Sequence, residues 1–179
     1  EFNVVDDANA IAAEVTASGF GSGGLDEAND LVVSGGNVDV EDAADIQAIS
    51  GYNDSASDYD ITDTAAALIS ATDSVLDKAG VDTVSVTGGP VDADTGEKLA
   101  ELSKDVVFDV SDTADNVAAE VTGSNGAGDL DEAADVVVSG GDVDAADAAA
   151  IQAISGYNDS ASDYEISDNA AAVISAGVN

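Results

Sequence analysis

The chain has 179 residues, 45% of them apolar, which is enough for a sizeable core and too rich in Val and Ile for a disordered acidic tail. Its 38 Asp and Glu face only 3 Lys, a formal net charge of −35, and such a surface repels nucleic acid and anionic membrane. Cys and His are absent, which excludes a disulfide framework, a thiol or imidazole catalyst and zinc–thiolate sites.

In chain order, a short alternating strand from Phe2 leads to Asp6 and an Ala-rich helix, FNVVDDANAIAAEV. After the acidic turn LDEAND, a strand from Leu31 reaches Gly35-Gly36, and Asp39 opens a helix striped by Ile46 and Ile49. The loop NDSASD leads to a strand from Tyr59, then Asp63 and a helix carrying Leu68. A strand from Val84 reaches Gly88-Gly89, Pro90 lies in the link, and Asp92 opens a helix striped by Leu99 and Leu102. From Phe108 the order starts again, with Asp112 before a helix carrying Val117. The strand from Val136 reaches Gly140-Gly141, and Asp144 opens a helix with Ile151 and Ile154. The last strand starts at Tyr164 and is followed by Asp168 and a helix with Val173.

These elements form an internal repeat. Residues 2–71 match 108–176, with one residue fewer in the second copy around the position of Ser22, and IQAISGYNDSASDY occurs identically at Ile46–Tyr59 and Ile151–Tyr164. The long period of about 105 residues subdivides into seven βα modules of two alternating types. Their approximate bounds are 1–30, 31–57, 58–81, 82–106, 107–134, 135–162 and 163–179, read as one array over 1–179. Equivalent strand positions are Val4, Val33, Ile61, Val86, Val110, Val138 and Ile166.

The first type alternates apolar and polar residues, so one strand face is buried and the other wet. Asp6, Asp63, Asp112 and Asp168 sit where a helix N-cap belongs, as do Asp39, Asp92 and Asp144 in the second type. The glycine pairs supply a tight exit from the strand. Strand–helix units in series favour a parallel sheet with right-handed crossovers. A doubly wound sheet or closed barrel needs apolar residues on both strand faces. Here the second face is mostly Asp, Ser, Thr and Asn, with Val32 and Val137 as exceptions. The fold expected is α/β: an open right-handed strand–helix solenoid with a parallel sheet. Neither end reads as a polar capping segment and no leader is visible, so the array is expected to continue in a longer protein or to stack end to end.

No enzymatic role is expected. Carboxylates are so abundant that pairs arise by chance, and the Gly-Gly turns lack a phosphate-binding Lys. Calcium is the candidate cofactor, because hard cations want several oxygens in a compact loop. One candidate ligand set is Asn53, Asp54 and Asp58, with Ser55, repeated as Asn158, Asp159 and Asp163, with Ser160. The other is Asp26, Glu27 and Asp30, repeated as Asp131, Glu132 and Asp135. The same residues also serve as ordinary helix stops and loop solvation. Tyr52 and Tyr157 are expected to pack over the preceding helix, with sugar stacking as the alternative. Lys78, Lys98 and Lys104 cluster between residues 74 and 104, which suits contact with an acidic neighbour.

The phrase quoted as ITDTAAAL, VSDTADNV and ISDNAAAV, with VVDDANAI as a diverged copy, resembles repeats in very large secreted surface proteins and adhesins of bacteria. Such proteins often also carry calcium-binding RTX segments; the RTX nonapeptide itself is missing here. The resemblance implies secretion, a repetitive extended shape and duty at the cell surface, and it transfers no catalytic residue. The function expected is a structural or adhesive segment that self-associates end to end or adjoins further repeats of the same chain. The alternatives are a module binding cell-surface glycan or protein, and a calcium-dependent assembly element; neither nucleic acid nor membrane insertion is expected.

Overall fold

The computed structural model describes residues 2–18, 24–123 and 129–178. The one-residue difference near Ser22 lies outside them. The chain is α/β with parallel sheets, and it divides into two compact units.

The first unit comprises Glu1–Thr87 with Ser103–Asp105. It runs β1 (Asn3–Asp6), α1 (Ala8–Ser18), a 3-10 turn, β2 (Asp30–Val38), α2 (Val40–Gln47), a second 3-10 turn, β3 (Asp58–Asp63), α3 (Ala65–Ser70), α4 (Asp73–Leu76) and β4 (Val81–Val86). Each strand pairs in parallel with the next in sequence, β1 to β2, β2 to β3 and β3 to β4. The inward residues Leu31, Val33, Ile61 and Val84 are fully buried under Ile46, Leu68 and Leu76 of the helices. Burying each such side chain stabilises the fold by roughly 1.5–3 kcal/mol.

The second unit comprises Gly88–Leu102 and Val106–Asn179. It runs α5 (Ala93–Ala100), β5 (Val106–Val107), β6 (Asp109–Asp112), α6 (Ala114–Thr122), a 3-10 turn, β7 (Asp135–Val143), α7 (Ala145–Gln152), β8 (Asp163–Ile166) and α8 (Ala170–Ala176). β6, β7 and β8 are parallel and neighbour one another in that order. Val136, Val138, Val117 and Ile151 fill its core. All seven equivalent positions expected in strands lie in β1, β2, β3, β4, β6, β7 and β8.

The structure corrects two local expectations. The glycine pairs do not end the second-type strands at β2 and β7, which run through them to Val38 and Val143. Gly35, Gly36, Gly140 and Gly141 all have positive φ, a conformation that costs glycine little. The ladder shifts register there: Val4 of β1 faces Leu31, ahead of the pair, whereas Ile61 of β3 faces Val38, beyond it. The glycine pair is thus a bend that lets one strand serve two neighbours.

The second correction concerns the first-type N-caps. Asp39, Asp92 and Asp144 do cap α2, α5 and α7 through Asp42, Thr95 and Asp147 amides. In the first type, however, the cap is the following residue: Asp7, Thr64, Thr113 and Asn169 accept from the Ala10, Ala67, Asn116 and Ala172 amides. Asp63, Asp112 and Asp168 each accept the amide of that following residue and also reach back to the first amide of the preceding second-type helix. The donors there are Val40 at 3.2 Å, Ala93 at 3.0 Å and Ala145 at 3.4 Å. Asp6 accepts the Asp7 amide at 2.9 Å. One carboxylate therefore spans the N-termini of two successive helices, where the helix dipole favours negative charge.

Candidate functional site

The duplicated loop after α2 and α7 is the most elaborated polar feature. In the first unit, Asn53 donates its amide to Asp30 at 2.7 Å and accepts the Ser55 hydroxyl at 3.1 Å. Ser57, the one buried polar residue among those described, donates to the Asn53 carbonyl at 2.8 Å and accepts the Val33 amide at 3.0 Å. The second unit repeats this with Asn158, Asp135, Ser160, Ser162 and Val138 at closely similar distances. The serine supplies an acceptor to a strand N–H near the glycine bend, a group that would be costly to bury unpaired.

The twelve candidate metal ligands fall into different settings. Asn53 and Asp30 meet, as do Asn158 and Asp135, so the acidic turn and the serine-rich loop of each copy are joined. In both pairs the Asn presents its NH2 to the carboxylate and its oxygen to a serine. Asp54 accepts the Gly80 amide at 3.0 Å and the Tyr52 hydroxyl at 3.4 Å. Asp131 accepts the Ser155 amide at 2.8 Å. Asp26, Glu27, Asp58, Glu132, Asp159 and Asp163 are exposed.

A closer carboxylate group lies elsewhere. Oxygens of Asp94, Glu97 and Glu120, on α5 and α6, lie within 4.8 Å of one another. A hydrogen bond from Glu97, and then burial, push the Glu120 carboxyl above its ordinary range. Lys98 pairs with Asp94 one turn away. An open groove of about 310 Å³ beside them is lined by Asp92, Asp112, Asn116 and Glu120. In the first unit a groove of about 540 Å³ between α2 and α3 is lined by Asp39, Glu41, Asp63 and Ser70. Both are shallow and acidic at the shared helix N-termini.

The tyrosines are pinned from below. Tyr59 is 1% exposed, and Gln47 donates to its hydroxyl at 2.7 Å and to the Val75 carbonyl at 3.0 Å. Gln152 repeats the bond to Tyr164 at 3.0 Å. Burial, together with the adjacent Tyr59 hydroxyl, pushes the Tyr52 phenol far above its usual value. Tyr157 is pushed up to about 12 by burial and Tyr164. The Tyr52 and Tyr157 rings are partly buried and their backbones bridge in parallel to Leu31 and Val136.

No known protein family, curated protein or solved structure matches this chain.

Sequence reasoning missed the acidic triad and the Gln–Tyr bonds. Glu97 and Glu120 are 23 residues apart, and nothing in a run of acids marks the two that meet. The Gln–Tyr pairs had a signal, since both residues lie inside the identical stretch. Among the described residues no helix is long and apolar enough to cross a membrane.

Proposed function

We propose that this chain is a non-catalytic structural or adhesive segment of an extracellular bacterial surface protein. In this reading it is built as an open right-handed strand–helix solenoid and joins end to end into a fibre or layer. The observation that carries the reading is the Asp63, Asp112 and Asp168 carboxylate, which ties each second-type helix to the next first-type helix. Strands that pair in sequence order within each unit support the same reading, in which modules contact their neighbours. Such units add without a central core that limits their number. The buried residues are almost wholly apolar, and the polar elaboration serves capping and loop closure. A charge of −35 keeps such a surface hydrated and discourages collapse onto other acidic surfaces.

Protease treatment of intact producing cells tests the location. The reading predicts that the chain is shaved from whole cells; digestion only after lysis would contradict it.

A further inference from the structure

The internal repeat lets one helix junction be compared with its sisters. A second-type helix is followed by a first-type helix at α2–α3, at α5–α6 and at α7–α8. At equal distance beyond the capping residues Asp39, Asp92 and Asp144 lie Ala44, Glu97 and Ala149. At equal distance beyond Asp63, Asp112 and Asp168 lie Ala71, Glu120 and Ala176. Ala44 and Ala71 line one shared groove in the first unit. At α5–α6 the same two places hold carboxyls, whose oxygens lie within 4.8 Å of each other and of Asp94. Glu14 holds the place of Glu120 in α1, so the acid marks the first-type module that opens each long copy.

Two carboxylates this close repel, whereas one proton between them makes a charge-assisted hydrogen bond, the stronger kind. A side-chain hydrogen bond with Glu97, then burial, then the charges of Glu97 and Asp94 favour the protonated form of Glu120, and Lys98 acts the other way. Lys98 is itself paired with Asp94. Asp92 and Asp112 face the same groove. The elements packed on α5 and α6 add only acids: Asp109 on β6, Asp131 and Glu132 in the 3-10 turn, Asp135 and Asp142 on β7, and Asp147 on α7. None of these elements contains Lys. Uptake of a proton is thus the direct way for this junction to relieve its own repulsion.

We infer that the α5–α6 junction is a proton-controlled joint: one proton shared by Glu97 and Glu120 holds the two helices together in mildly acid surroundings, and its loss drives them apart. Glu97 precedes and Glu120 follows Phe108, where the second long copy begins, so the joint lies between the long copies in sequence. By linkage, a group that binds its proton more tightly in the folded chain stabilises the fold at lower pH, and that stabilisation is lost as pH rises through the folded value. The Ala pairs at α2–α3 and α7–α8 give those junctions no such response.

The test is hydrogen exchange of the full chain, corrected for intrinsic rates and run with a chelator so that protons alone vary. The reference is the double variant Glu97→Ala with Glu120→Ala, which installs the Ala pair of the sister junctions. Protection of the α5 and α6 amides, divided by that in the double variant, should fall roughly fivefold from mildly acid to neutral pH, the scale of one net hydrogen bond. Glu120→Gln, whose amide donates to Glu97 at either pH, should keep the acid level of protection at neutral pH. A ratio that does not change with pH would overturn the inference, as would a Glu120→Gln chain no better protected at neutral pH than the parent. If a variant fails to fold, carbon NMR of the two carboxyls in the parent chain decides. A coupled titration in two steps is expected, and two independent titrations in the ordinary Glu range would overturn the joint.

Discussion

The Asp112 carboxylate accepts the Ala93 amide at 3.0 Å across 19 residues of sequence, and it also accepts the Thr113 amide at 2.7 Å. One side chain thereby closes the start of α5 and steadies the start of α6. Burial pushes the Asp112 carboxyl up, but the Ala93, Asn116 and Thr113 donors outweigh it and hold the group below the usual carboxylate range.

Its stabilising effect should therefore be complete above the ordinary Asp value of about 3.9 and fade as pH falls through the lower folded value. Asp112→Ala should cost about 1 kcal/mol at neutral pH and speed exchange of the Ala93 amide. Urea melts of both proteins should converge in strong acid. A constant difference down to the lowest pH would show that the charge is not what matters.

Other carboxyls act in the opposite direction. Burial, with Asp39, Asp45 and Glu41 nearby, raises Asp42; burial and Asp144 raise Asp147. Glu97 and burial raise Glu120. A raised folded value means that the native state holds the proton more tightly, so stability falls as pH rises through that value. The chain should melt higher in mildly acid buffer than at neutral pH, and salt should narrow the gap by screening. Glu120→Gln should raise the neutral melting temperature. A melting temperature that climbs steadily from mildly acid to neutral pH would contradict this balance.

Leu68 on α3 is fully buried, while its repeat equivalent Val173 on α8 is partly exposed. Leu68→Ala should cost about 3 kcal/mol, and Val173→Ala clearly less. Gly96 makes the converse point. Ala43 and Ala148 occupy its place in α2 and α7, but a Cβ at Gly96 would sit 2.9 Å from Val110 and close to Leu130 and Phe108. Gly96→Val should destabilise the second unit by about 1–3 kcal/mol, measurable by denaturant unfolding.

The Asn–Asp clasps bear on the calcium expectation. Replacing Asn53 and Asn158 by Asp sets a second carboxylate against Asp30 and Asp135 in place of an amide donor. The double variant should lose about 1 kcal/mol or more, and calcium should raise its melting temperature more than that of the parent chain. Equal melting of variant and parent without calcium would show that the clasps contribute nothing.

Local chemistry made the modules legible. Period-two alternation before the Asp of each first-type module places Val4, Ile61 and Val110 in strands, and Asp39, Asp92 and Asp144 cap as their position dictates. What was not legible is set at long range. Each first-type module offers two capping residues in a row, such as Asp63 and Thr64. Thr64 is the cap, while the Asp63 carboxylate bonds the Thr64 amide and the Val40 amide 23 residues earlier, a long-range contact that the local sequence does not display. The Gly pair reads as a strand end because only the partner register shows that the strand continues on a second neighbour. The Asn53–Asp30 clasp likewise joins two loops that sequence treats as separate candidates.

Small-angle scattering of chains carrying one, two and three copies of residues 2–107 ahead of Phe108 tests the scaffold most directly. Neighbour-to-neighbour modules predict a maximum dimension that rises by a constant increment per copy. A dimension that grows only as the cube root of mass would mean that the copies pack into one globule, and the account would fail.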